Sequence, residues 1–152
     1  SLSEYDPSVL ILTETAERNL LKDFKKHHQR REAFCKLVYR ALAEDPPDKY
    51  IEKQYRNAVP PIKQLRQGGK LRGYCYLEEI PGFHVLVLVA VTDHDYTAAP
   101  PGKLTDHARG FLDQLREIDT EDAAREYVTK RAYTPKMWGQ WMEDHGMTNP
   151  HR

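Results

Sequence analysis

The chain reads as an α+β domain in which amphipathic helices pack on a small antiparallel sheet. Three observations predict it. Residues 83–91, Phe-His-Val-Leu-Val-Leu-Val-Ala-Val, make an unbroken aliphatic and β-branched run of the kind found in a strand covered on both faces. Apolar residues ahead of it and behind it recur at the spacing of one helix face. Pairs of glycine and proline punctuate the segments between, where turns and helix ends are needed.

The elements follow in order. Val9-Leu10-Ile11-Leu12 is short and aliphatic, which suits a buried strand. Thr13 is placed as an N-cap for a helix to about residue 26, along which Ala16, Leu20, Leu21 and Phe24 share a face. A polar joint at His27-His28-Gln29 leads to a second helix carrying Phe34, Cys35, Val38, Tyr39, Ala41 and Leu42, and Pro46-Pro47 stops it. Tyr50, Ile51 and Tyr55 fit helical spacing, so a short helix is expected between residues 48 and 59. Residues 62–66 read as a strand, Gly68-Gly69 as a tight turn and residues 71–80 as a second strand with Tyr74 and Tyr76 on one face. Pro81-Gly82 then turns the chain into the strongest strand. The sheet is thus expected to hold one N-terminal strand and a three-stranded meander against a helical hairpin.

Residues 98–102 read as a linker onto an all-helical tail. Leu104, Ala108, Phe111, Leu112 and Leu115 mark one amphipathic helix, and Ala123, Ala124, Tyr127 and Val128 mark another behind Asp119 and Thr120. The last helix has Thr134 as N-cap, Pro135 at its first position and Gly146 as its stop, with Trp138, Trp141 and Met142 on one face. Those tryptophans either dock on the core or form a partner-binding anchor, a role for which exposed Trp is well suited. The expected organisation is a core over residues 1–97 and a helical extension over 98–152 packed on it, within a single domain overall.

A length of 152 residues is enough to bury a core without disulfides or a structural metal. Lys plus Arg and Asp plus Glu are each 23, so no whole-molecule field favours nucleic acid or an anionic membrane, and any basic site must be local. The two cysteines, Cys35 and Cys75, read as buried thiols of a reducing compartment. No apolar run approaches the roughly 20 residues that cross a bilayer, and no secretory leader pattern opens the chain, so the expectation is a cytoplasmic protein with no membrane contact.

The histidines fall into none of the compact spacings that build a zinc site, and no Walker loop or nucleophile elbow is present, so neither metal nor cofactor is expected. What remains is a local polar group. Lys63, Arg66, Lys70 and Arg72 flank the Gly68-Gly69 turn, and Asp93-His94-Asp95-Tyr96 follows the strongest strand. Charges around a hairpin make an ordinary solvated surface, but residues at strand ends are also held rigidly while staying wet. RNA cleavage without a metal needs a base for the 2′-hydroxyl, cations on the phosphate and a donor for the leaving oxygen. His94 and Tyr96 can supply the acid and base, and the lysines and arginines can hold phosphate.

Thr13-Glu-Thr-Ala-Glu-Arg-Asn-Leu20 after a first strand, a helical hairpin, and Lys70-Leu-Arg-Gly-Tyr74 leading into residues 83–91 together resemble the RelE/ParE toxin superfamily over about residues 9–96. The resemblance implies a small sheet backed by helices. It implies a toxin that cuts messenger RNA in the ribosomal decoding site or poisons DNA gyrase, held in check by an antitoxin. Arg66 and Arg72 then correspond to strand cations, His94 to the catalytic residue past the last strand, and Tyr96 to a C-terminal tyrosine of some members. Lys63 and Lys70 join the substrate-binding cations. Family nucleases are strongly basic whereas this chain is neutral, Asp93 and Asp95 flank His94, and the helical tail has no counterpart in the short toxins. The alternatives are a non-catalytic module of the same fold that binds protein through the tryptophan helix or the sheet, and a ParE-like gyrase inhibitor.

Overall fold

The computed structural model describes residues 7–44, 47–97 and 99–151; the helix stop at Pro46 and the start of the linker at Ala98 lie outside them. The fold is α+β. Five strands, β1 (Ser8–Leu12), β2 (Ile51–Tyr55), β3 (Ile62–Leu65), β4 (Arg72–Ile80) and β5 (Phe83–Thr92), form one sheet in the order β1-β5-β4-β3-β2. The meander from β2 to β5 is antiparallel, but β1 lies parallel to β5, with Val9 beside Val85 and Leu12 beside Leu88. The sheet is therefore mixed rather than wholly antiparallel. A hairpin cannot join parallel neighbours, and the chain after β1 leaves the sheet through helices before re-entering at the far edge, which is the crossover that parallel pairing needs.

Helix α1 (Glu14–Arg18) is capped by Thr13, whose hydroxyl accepts from the Ala16 amide at 3.1 Å and donates to the Val89 carbonyl at 2.8 Å. It passes through a π-helical turn over Asn19–Asp23 into α2 (His28–Ala43). The short helix expected between 48 and 59 is replaced by a 3₁₀ turn over Pro47–Tyr50 followed by β2. Burial alternates along β2, and its pairing with β3 supplies backbone partners that a helix would have had to find internally. Helices α3 (Gly102–Arg116), α4 (Glu121–Arg131) and α5 (Pro135–Asp144) complete the chain.

The sheet has a core on each face. Leu86 and Leu88 of β5 meet Leu20, Phe34, Val38 and Trp138 on one side, whereas Val85, Val87 and Val89 meet Ala108, Leu112, Leu115 and Val128 on the other. That double cover is why β5 reads as an unbroken apolar run. The tail reaches both faces by crossing the outer edge of β1, where Leu10 and Tyr133 exchange backbone hydrogen bonds of 2.9 and 2.7 Å. The crossing also shields an edge strand that would otherwise be open to pairing.

Trp138 is fully buried, donates its indole N–H to the Cys35 carbonyl at 3.0 Å and stacks on Trp141 at 4.6 Å between ring centres. Trp141 is only 6% exposed, so the two rings belong to the core against α2 and offer no surface anchor for a partner. Their partner on the fold is the apolar stripe of α2, whose burial outweighs any exposed role. Both cysteines are buried free thiols, and burial pushes that of Cys75 up to about 12.

Candidate active site

The segment after β5 is aimed by an irregularity in the strand before it. Tyr74 pairs with Ala90 and Cys75 with Leu88, so Val89 is an extra residue in β5, and the inward-outward alternation reverses beyond it. Arg72 then lies opposite Thr92, on the face that Tyr74 shares with the α3-side core. At this end of the sheet the chain turns back across that face instead of continuing past the edge.

Four side chains of β2, β3 and β4 hold the returning segment. The Tyr74 hydroxyl donates to the His94 carbonyl at 2.8 Å and accepts from the Tyr96 amide at 3.3 Å and the Gln64 side-chain amide at 3.2 Å. The second Gln64 N–H goes to Asp95 Oδ1 at 3.2 Å. Lys53 Nζ donates to the Tyr96 carbonyl at 2.8 Å and lies 3.5 Å from Asp95 Oδ1, and the Tyr55 hydroxyl donates to the same Tyr96 carbonyl. Tyr74 and Gln64 are buried, so each bond they lost would leave a polar atom without water to replace it.

The electrostatics follow from those contacts. The Gln64 hydrogen bond, with the Lys53 ammonium adding to it, holds the Asp95 carboxyl below the usual carboxylate range. Burial, then the hydrogen bond and charge of Tyr74, push the Tyr55 phenol up, so it remains a donor to Tyr96. Arg72 Nη1 donates to the Asp93 carbonyl at 2.8 Å and to the Lys70 carbonyl at 3.2 Å, which sets its guanidinium directly beside the peptide that precedes His94. The His94 amide donates to Thr92 Oγ1 at 3.1 Å. Its ring is exposed and meets the Tyr96 ring edge-on at 4.7 Å, and Tyr96 in turn lies 5.1 Å from the Tyr74 ring.

The residues singled out in the sequence therefore separate. Arg72, His94 and Tyr96 come together on one face. Arg66 lies at the same end, but its Nε closes the turn onto the Gly69 carbonyl at 2.6 Å and its Nη1 lies 3.7 Å from Glu52. Lys63 alternates with Gln64 and shares the α2-side face with Leu65, away from His94. Lys70 lines a cleft against α2, also on that side. Among the described residues no group of three or more His, Cys, Asp or Glu side chains is placed to hold a metal.

Gln64, Tyr55 and Lys53 are parts of the site that sequence reasoning missed. Gln64 carried a usable signal, because an amide at an inward position between Ile62 and Leu65 must find buried partners. Tyr55 and Lys53 carried none, since their place depends on β2 being a strand. A scan against family models, a search of curated proteins and a search of solved structures each return no match to this chain.

Proposed function

We propose that the face carrying Arg72, His94 and Tyr96 is the site of a RelE-like, metal-free endoribonuclease that cleaves messenger RNA at the ribosome. The observation that carries this reading is the pinned segment: Tyr74, Gln64, Lys53 and Tyr55 hold residues 94–96 while the His94 ring stays exposed and the Arg72 guanidinium binds the carbonyl of Asp93, the residue before it. A general base must be reachable and rigidly placed, which the exposed ring and pinned backbone of His94 provide, and a cation must meet the charge on the phosphate, the part assigned to Arg72.

In the proposed reaction His94 takes the proton from the ribose 2′-hydroxyl, and the freed oxygen attacks the adjacent phosphorus. The bond from phosphorus to the 5′-oxygen breaks, and that oxygen leaves with a proton from Tyr96 or solvent. The products are a 2′,3′-cyclic phosphate and a 5′-hydroxyl. Arg72 offsets the charge that builds on the phosphate, and Tyr96 orients the ribose or base against its ring. Arg66 acts at one remove, by keeping the turn ahead of Arg72 closed. An antitoxin is the natural counterpart of such an activity and is part of the same proposal.

The neutral overall charge means that affinity for ribosomal RNA has to come from this local group, so binding is expected to be weak, with a shallow salt dependence set by the few phosphates it can contact. A protein-binding module built on the tryptophan helix has no anchor here, because both rings are internal. Expression of the wild type and His94→Ala from a tightly repressed promoter tests the proposal. Arrested growth that depends on His94 supports it, and equal effects of the two chains remove His94 from the mechanism.

A further inference from the structure

A second feature lies on the opposite side of the sheet from His94, between α2 and the turn at Gly68-Gly69. It is a cleft of about 280 Å³, just below the roughly 300–1,000 Å³ typical of small-molecule sites and of a size for one nucleotide. Phe34, Leu37 and Leu71 give it an apolar floor, and Arg30, Arg40 and Lys70 line it with positive charge. Among the described residues no carboxylate lines it, so none of these neutralises the three cations from within the cleft.

The cations are placed to accept a ligand. Arg30 and Lys70 are exposed, and among the described residues their side chains make no hydrogen bond or ion pair. Arg40 donates through Nη2 to Gln67 Oε1 at 3.3 Å and lies over the Tyr50 ring, while its buried Nε has no hydrogen-bond partner among the described residues. A bare phosphate would meet the charge and leave the apolar floor uncovered. A fatty carboxylate would cover the floor and leave the amides of Gln29 and Gln67 unused. A phosphate monoester on a flat, partly apolar body with hydrogen-bonding edges uses all three kinds of group.

We infer that this cleft is a nucleoside monophosphate site, with the phosphate on Arg30, Arg40 and Lys70 and the base over Phe34, Leu37 and Leu71. The same chemistry is presented by a free nucleotide and by the 5′-phosphorylated end of an RNA strand. The inference does not rest on the nuclease reading, because the cleft and His94 lie on opposite faces of the sheet.

Calorimetric titration of the full chain at low salt tests it, using the four nucleoside 5′-monophosphates in turn, the matching nucleosides, inorganic phosphate and a 5′-phosphorylated trinucleotide. At least one monophosphate is expected to bind saturably, with its nucleoside and inorganic phosphate weaker by about tenfold or more, as expected from losing a charge-assisted contact or the apolar floor. The double variant Arg30→Gln/Lys70→Gln changes only exposed side chains, and with an unchanged melting curve it is expected to lose at least as much. His94→Ala is expected to bind as the wild type does. Tighter binding of the trinucleotide identifies an RNA end as the ligand, and tighter binding of the mononucleotide identifies a free nucleotide. Absence of saturable binding by every probe, binding of phosphate equal to that of the monophosphates, or an unchanged affinity in the double variant overturns the inference.

Discussion

His94 is held through its backbone, whereas its exposed ring meets the Tyr96 ring edge-on, and this separates stability from chemistry at the residue scale. His94→Ala is expected to leave thermal unfolding within about 0.5 kcal/mol of the wild type, as for other exposed side chains, while lowering cleavage by about 10² or more, the share a general base contributes. Tyr74→Phe is expected to behave differently. It removes one hydroxyl that serves His94, Tyr96 and Gln64 together, so it costs about 1–3 kcal/mol by denaturant unfolding and loosens the segment without touching an exposed group. Asp95 adds a pH dependence of known sign. Its pKa is lowered in the fold from an ordinary value of 3.8, so its contribution is complete above that value and is lost as pH falls through the lower, folded one. Amide exchange in residues 94–96, taken relative to the intrinsic rate at each pH, is therefore expected to accelerate on acidification below about pH 4, with Asp95→Asn removing that step. Acceleration that persists unchanged in the variant would contradict the assignment to Asp95.

At the scale of elements, the legible parts were those whose pattern is local. The unbroken apolar run of β5, the glycine turns that bound β4, the Thr13, Thr120 and Thr134 caps, and the stripe of α2 all stand in the chain order itself. β2 was not legible, because Tyr50, Ile51 and Tyr55 satisfy a helical spacing and only the presence of β3 alongside decides for a strand. The candidate site was half legible for the same reason. The cations and His94 could be listed from strand ends, but the face each occupies depends on the extra residue in β5 and on β3 register, which placed Lys63 on the far side. Close packing gives two predictions here. Gly73→Ala would put a Cβ 2.7 Å from Phe34 Cζ and 2.9 Å from Leu88 Cδ1, and is expected to destabilise by about 1–3 kcal/mol. Trp138→Ala empties a fully buried site and strands the Cys35 carbonyl, at a cost of about 3–5 kcal/mol in chemical unfolding. A near-neutral result for Trp138→Ala would mean that the ring is not a core residue.

For the whole molecule, the consequence of two cores is that the C-terminal helices are part of the fold and not an appendage. α3 and α4 cover the face that carries Tyr76, Val85 and Val87, and α5 completes the core around α2. They leave the end of the sheet with Arg72 and His94 uncovered enough for the His94 ring to be exposed. The tail therefore supports the scaffold of the candidate site without closing over the His94 ring. On the proposed function, the pinned segment makes His94 a catalytic base. The integrity of messenger RNA in a cell-free translation reaction, with the purified protein and its His94→Ala variant at equal concentration, tests it most directly. Ribosome-dependent cleavage by the wild type that disappears in an equally folded variant is the expected result; intact message with unimpaired translation in the presence of the folded wild type would rule out His94 as the base of such a nuclease.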